Sequence, residues 1–233
     1  MPSNTVVAEY GGEMVVIDTA LPVVETFHSL QGEGVHAGRS AFFIRLGGCS
    51  VGCSWCDTKH SWPEGVHPRV ALLELAMQTS EAVAHGAAFA VVTGGEPLHH
   101  NLNDLCQALR QKTSHATGRP VPLHLETSGV DPLSGEFDWI TLSPKRHKPP
   151  TPELLAACNE LKVVVHNGDD LAFAEQMAVA ARASCHRHRS AEPVLLLQPG
   201  ANCPEGQTLA VGFVRTNPGW RLSLQTHKLL GVR

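Results

Sequence analysis

The 233-residue sequence is short of charge and of aromatic rings, with charged residues at 17% and aromatics at 5%. An ordinary soluble chain carries roughly 25% charge. Apolar residues reach 42% and the formal net charge is only -4, so disorder is excluded for most of the chain. The core must be aliphatic, built on Ala, Val and Leu. No basic excess points to a nucleic-acid partner, and no polybasic stretch points to a membrane surface. No apolar run approaches the roughly 18 residues of a membrane span. Met1 to Gly12 lacks a charged-then-apolar signal pattern. A cytoplasmic protein is the expectation, and structural disulfides are rare there. At roughly 150 residues per domain the length allows one domain or a small pair.

Short apolar runs alternate with helical patterns, the mark of βα units. The runs are Ala41–Leu46, Phe89–Thr93, Leu123–Glu126, Trp139–Leu142, Glu160–Val165 and Val194–Leu197, with a seventh at Leu222–Gln225. Arg69–His85, Asn101–Lys112 and about Asp169–Arg187 read as helices. Gly12–Ser29 suggests an N-terminal hairpin or arm. Nearly every run ends in a polar or glycine-bearing motif. In parallel α/β folds the ligand site forms at that edge, so one site built from several strand ends is predicted. A closed eight-fold barrel typically takes about 250 residues. A partial, open βα barrel of about six parallel strands plus an N-terminal extension fits better.

Seven cysteines are present, and Cys49, Cys53 and Cys56 fall within one short loop as C-x3-C-x2-C. Structural zinc wants four ligands, and only His60 or His67 offers a fourth. A disulfide would use two of the three. Iron–sulfur clusters are held by closely spaced thiolates, and three ligands to a four-iron cluster leave one iron open for a ligand. The next strand ends in Thr93-Gly94-Gly95-Glu96-Pro97. Two glycines let backbone approach a ligand, and Glu96 can accept from an ammonium.

The cysteine spacing followed by Gly-Gly-Glu-Pro resembles the radical S-adenosylmethionine (radical SAM) superfamily. Further segments narrow the likeness: Phe27 to Gly34, Arg45, Cys56-Asp57-Thr58, Glu126 to Gly129, Ser143-Pro144-Lys145 and Gln225 to Lys228. In that order they resemble the 7-carboxy-7-deazaguanine synthases, from about Glu25 to the last residues. The resemblance implies a lyase that turns 6-carboxy-5,6,7,8-tetrahydropterin into 7-carboxy-7-deazaguanine with loss of ammonia, in queuosine biosynthesis. An adenosyl radical takes hydrogen from substrate C6, ring contraction follows, and SAM is regenerated.

Carried over residue by residue, the resemblance makes Cys49, Cys53 and Cys56 the 4Fe-4S ligands. Gly94, Gly95, Glu96, Ser143, Pro144, Lys145, Gln198, Pro199, Gly200 and Ala201 become SAM contacts. Leu30, Gln31, Gly32, Arg45, Thr93, Glu126, His227 and Arg233 become substrate contacts, and Thr58 a Mg2+ ligand. The roles suit the chemistry. Arg45 offers a fork to the substrate carboxylate, Glu126 can accept from guanidine-like N–H groups, and a hydroxyl with waters suits Mg2+. Gly200-Ala201 departs from relatives, where an acidic residue often follows, and Arg233 stands where relatives present a terminal carboxylate.

The resemblance also implies a flavodoxin- or ferredoxin-like electron donor, a homodimer, and no direct nucleic-acid or membrane partner. The expected organisation is a single radical SAM domain over 1–233, with 1–24 as an extension. Competing readings are a glycyl-radical activating enzyme of the same superfamily and a zinc-binding interaction module. Cys106 reads as core, Cys158 and Cys185 as bystanders, and Cys203 as a chance small residue. His99-His100 and His186-Arg187-His188 read as solvated.

Overall fold

The computed structural model describes residues 5–10, 13–18, 20–188 and 191–233. Strands β1 (Thr5–Tyr10) and β2 (Glu13–Asp18) form an antiparallel hairpin, Thr5 facing Asp18. The hairpin expected within Gly12–Ser29 thus lies earlier in the chain. The eleven-residue β3 (Ala20–Leu30) joins the main sheet instead.

The remaining elements run β4 (Ser40–Leu46), β5 (Arg69–Ala71), α1 (Leu72–Ala84), β6 (Phe89–Gly94), α2 (Asn103–Thr117), β7 (Leu123–Thr127) and β8 (Trp139–Leu142). Then come α3 (Pro152–Ala157), β9 (Glu160–Val165), α4 (Gly168–His188), β10 (Val194–Pro199), α5 (Pro204–Thr216), β11 (Trp220–Leu222) and α6 (Thr226–Leu230). The sheet order is β11-β10-β9-β8-β7-β6-β4-β3-β5. β4 and β6 to β11 pair in parallel. β3 runs antiparallel to β4, and β5 to β3. Nine strands form the sheet and its edges stay apart, which is the expected open barrel.

Two boundaries differ from the sequence reading. Arg69–Ala71 pairs with β3, Leu21 opposite Val70, so the helix starts only at Leu72. The seventh parallel strand is Trp220–Leu222 rather than Leu222–Gln225. Trp220 is buried and edge-on to Phe213 at 6.0 Å, which anchors the earlier register. Gln225 then directly precedes α6.

Period-two alternation divides each strand between two environments. Phe42, Ile44, Ala90, Val92, Leu123, Leu125, Leu161, Val163, Leu195 and Leu197 join Leu75, Leu105, Leu109, Ala174 and Ala210 in the helix-facing core. Each large aliphatic buried there contributes roughly 1.5–3 kcal/mol. The alternate positions Ala41, Phe43, Phe89 and Val91 form a second cluster with Phe27 on the concave face. Cys106 and Cys158 are buried, and burial pushes the Cys106 thiol up to about 12, as expected of a core cysteine. The side chains of residues 185–188 fall outside the described residues, and with them the readings of Cys185 and of His186 and His188.

Candidate active site

Toward their C-terminal ends the inward positions turn polar. Arg45 lies opposite Thr93, Glu126 opposite Thr141, Lys162 opposite Leu196, and Gln198 opposite Val164. They open into a cavity of about 500 Å3. Every predicted site residue lines it except Pro144 and Gly200. Pro144 is buried behind the turn. A Cβ on Gly200 would stand 2.4 Å from the His166 ring, so this glycine admits the imidazole.

The three cysteines are free thiols, Cys53 buried and Cys49 and Cys56 half-buried. Burial raises the Cys49 and Cys53 thiols, and each also feels the charge of its neighbours in the triplet. Among the described residues no three His, Cys, Asp or Glu side chains converge around a single metal ion. Three closely spaced thiols lining one cavity suit an iron–sulfur cluster.

The cysteine loop is held by four histidines, of which His99 and His100 were expected to be solvated. His100 Nε2 bonds the Gly47 carbonyl at 2.8 Å. His99 Nε2 accepts from the Ser50 N–H at 3.0 Å, while its Nδ1 faces the Asp131 carboxylate. His67, weighed as a zinc ligand, bonds the His60 carbonyl at 3.0 Å and packs on Gly47. His147 Nε2 reaches the Val51 carbonyl at 3.0 Å. Loop carbonyls and N–H groups need partners when withdrawn from water, and these imidazoles supply them.

The Gly94-Gly95-Glu96 turn lines the cavity and also packs on the cysteine loop. A Cβ on Gly94 would lie 2.2 Å from the Leu46 carbonyl, and one on Gly95 2.3 Å from the Gly48 carbonyl. The glycines thus permit close approach to the cysteine-loop backbone, sealed by Gly95 N–H to Leu46 O at 2.9 Å and Glu96 N–H to Gly48 O at 2.8 Å. The Glu96 carboxylate is buried and accepts from Thr127 Oγ1, from the Ser128 N–H and Oγ, and from the Leu98 N–H. Four donors occupy its two oxygens, so its side chain ties β6 to β7.

On the predicted substrate side, Gln31 Nε2 donates to Glu126 Oε1 at 2.9 Å, and Thr93 Oγ1 donates to Glu126 Oε2 at 2.9 Å. Leu30 sits at the more exposed margin. A Cβ on Gly32 would meet His227 Nδ1 at 2.1 Å, so glycine lets the ring cover the loop. Arg45 Nε lies 3.0 Å from Glu25 Oε1, and Arg233 Nη2 2.6 Å from Glu25 Oε2. Both guanidiniums lie over Phe27, which stacks on Phe43 at 4.9 Å. Glu25 was not among the sequence candidates.

On the predicted SAM side, Lys145 Nζ donates to Ser143 Oγ at 2.8 Å, and burial depresses the ammonium while the Cys53 thiolate opposes that shift. Gln198 Oε1 accepts from Ser223 Oγ at 2.9 Å. Pro199 and Ala201 complete that wall. Thr58 Oγ1 lies 3.5 Å from Cys56 Sγ. Cys203 is more than a chance small residue: its thiol accepts from the Gly206 N–H at 3.3 Å and caps α5.

Sequence reasoning missed Glu33, Lys162 and Gln225. Lys162 is 5% exposed yet lines the cavity and ion-pairs with Glu33, which also accepts from Gln225 Nε2 at 2.8 Å. Its signal was a charge at an inward position of an otherwise apolar strand.

An open parallel sheet whose C-terminal edge gathers three thiols, a Gly-Gly turn and a polar cavity defines a radical SAM enzyme. Such an enzyme calls for a four-iron–four-sulfur cluster and SAM. No family model matches the chain. The 7-carboxy-7-deazaguanine synthase of Prochlorococcus marinus is 54% identical over 224 residues, covering 93% of this chain and 100% of the relative. That of Synechocystis sp. is 46% identical over 218 residues, covering 94% and 96%. The crystal structure of QueE from Escherichia coli matches with a TM-score of 0.72 at 28% identity, covering 89% of this chain and 95% of that one. The chain belongs to the 7-carboxy-7-deazaguanine synthase family. That membership sets aside the zinc-module and glycyl-radical readings. Among the described residues no helix is long and apolar enough to cross a membrane.

Proposed function

We propose that this chain converts 6-carboxy-5,6,7,8-tetrahydropterin into 7-carboxy-7-deazaguanine with loss of ammonia, acting as a single radical SAM domain over 1–233 with 1–24 as an extension. The observation that carries the reading is the Gln31–Glu126–Thr93 group facing the cysteine triplet within one cavity. When bound, the cluster and SAM would supply the radical chemistry that opens the reaction at substrate C6.

The residues' own work is binding and orientation. Cys49, Cys53 and Cys56 would hold the cluster. The Gly94-Gly95 backbone, Ser143, Lys145, Gln198, Pro199 and Ala201 cradle SAM. Lys145 brings positive charge to the SAM carboxylate. Glu126 accepts from the pterin N–H groups, Gln31 reads the same edge, and Thr93 keeps the carboxylate aimed. Arg45 and Arg233 offer cationic groups to the substrate carboxylate, and His227 closes over Gly32. Thr58 would supply a hydroxyl to Mg2+, an ion that usually keeps several waters. Glu96 supports the turn from beneath. Gly200 and Pro144 act through backbone shape.

The reductant in this reading is a small flavodoxin- or ferredoxin-like protein, and the working form is a cytoplasmic homodimer with no nucleic-acid or membrane partner. The test is anaerobic turnover by reconstituted protein with pterin, SAM, reductant and Mg2+. The deazapurine chromophore should appear. Its absence from protein carrying a full cluster would refute the reading.

A further inference from the structure

The Glu33–Lys162 pair belongs to no role assigned so far, yet it stands at a junction of the site. Glu33 follows the predicted pterin contacts Leu30 to Gly32, and its own N–H donates to Gln31 Oε1 at 3.1 Å. Its carboxylate takes Lys162 Nζ from β9 and Gln225 Nε2 from the segment before α6. Gln225 Oε1 accepts from Lys228 Nζ at 3.0 Å, and the same ammonium reaches Asp57 Oδ2 in the cysteine loop at 2.7 Å. The next residue, Gly34, donates its N–H to Ser223 Oγ at 3.0 Å, and Ser223 donates on to Gln198, a predicted SAM contact. Thr226 N–H to Gly32 O at 2.9 Å closes the circuit beside His227.

The pair is charged and fixed. Burial opposes the Glu33 carboxylate, but Lys162 and the hydrogen bonds from Gln225 and Gln198 together outweigh it and hold the group down at about 2. Burial likewise opposes the Lys162 ammonium, and the carboxylates of Glu33, Glu126 and Glu160 outweigh it and raise it. A buried ion pair is poor evidence of stability, because desolvation cancels much of its attraction. Its value lies in fixing geometry: this pair fixes the 31–36 loop to β9 and, through Gln225 and Lys228, to the cysteine loop, while the adjacent Gly34 N–H ties the same loop to the SAM wall through Ser223 and Gln198.

We propose that Glu33 and Lys162 are positioning residues that couple the SAM subsite to the pterin subsite, so that occupying the Gln198 wall orders the 31–36 loop before the pterin arrives. The inference rests on the proposed reaction for the identity of the second ligand. Coupling energies of this kind usually correspond to about 5- to 150-fold in affinity.

Hydrogen exchange on the anaerobic, cluster-loaded protein, with and without SAM, tests it. In the unaltered protein SAM should slow exchange in 31–36 and 223–228 by about tenfold. In Glu33→Gln, SAM should still bind, but the slowing in 31–36 should vanish. Glu33→Gln leaves Lys162 without its main partner, so Glu33→Gln/Lys162→Met is measured beside it. The neutral pair should restore the melting temperature and cluster content without restoring the SAM effect. Undiminished slowing in either variant, or none in the unaltered protein, would overturn the proposal. Unaltered protein that shows the SAM effect but makes no deazapurine would refute the reaction and uphold the coupling.

Discussion

The two ends of the concave face are built on one strand alternation and serve opposite purposes. At the N-terminal end Phe89 stacks on His124 at 4.1 Å, and His36 packs edge-on against Trp139 at 4.5 Å. At the C-terminal end the same strands present Thr93, Glu126, Ser143 and Lys162. Two to four residues along each strand separate a floor of rings from a rim of donors and acceptors. The floor buries ring and carboxylate atoms as well, among them His36 Nε2, Trp139 Nε1 and Glu160 Oε1, without side-chain hydrogen bonds among the described residues. The rim carries buried polar groups that must be paired at once, as Glu96, Glu126 and Glu33 are. The cost of that pairing is accepted where a ligand has to be read.

The comparison can be broken by substitution at either end. The largest effect belongs to the rim: Cys53→Ala should abolish cluster assembly, seen as loss of iron and of visible absorbance. A variant with full cluster absorbance would contradict its role. On the floor, Phe89→Ala should cost about 3–5 kcal/mol of stability, read by denaturant unfolding, while the apparent affinity for SAM in the surviving fold stays unchanged. Back at the rim, Glu126→Gln should lower kcat/KM for the pterin about 100-fold, roughly 2.7 kcal/mol, with SAM binding retained. Equal loss of SAM binding would mean that Glu126 is structural.

A smaller effect sharpens the contrast by pH. Burial, with His36 and Arg39 adding to it, drives His124 down to about 3. Between pH 6.5 and 3 the unfolded chain therefore binds a proton that the native floor refuses, so stability falls as pH falls, approaching about 1.4 kcal/mol per pH unit from this group. His124→Phe should flatten that slope in unfolding curves between pH 6.5 and 4. An unchanged slope would place the burden on other groups. Smallest of all, Thr58→Val should raise the Mg2+ requirement about tenfold with little change in SAM affinity, checked by titrating Mg2+ in the turnover assay.

Much of this organisation was legible in the chain. Six strands declared themselves because inward and outward neighbours are both apolar, giving runs that only a covered parallel sheet produces. The cysteine spacing and the ordered strand-end motifs located the rim. What escaped was whatever depends on partners distant in sequence. His99 and His100 read as solvated because nothing in a local window shows that Gly47 and Ser50 lie beside them. The bonds of Glu96 to Thr127 and Ser128, one strand away, leave no local mark either. Glu33 and Lys162 are 129 positions apart, and neither has a local signature beyond a charge in apolar company. β11 was misplaced because its anchor, Trp220, packs on a helix and leaves no alternation to read.

The most direct measurement is the fate of deuterium placed at C6 of the carboxytetrahydropterin during anaerobic turnover. The proposed reaction predicts 7-carboxy-7-deazaguanine as product and deuterium in the recovered SAM. A product formed with no label in SAM, or label lost wholly to solvent, would contradict the account.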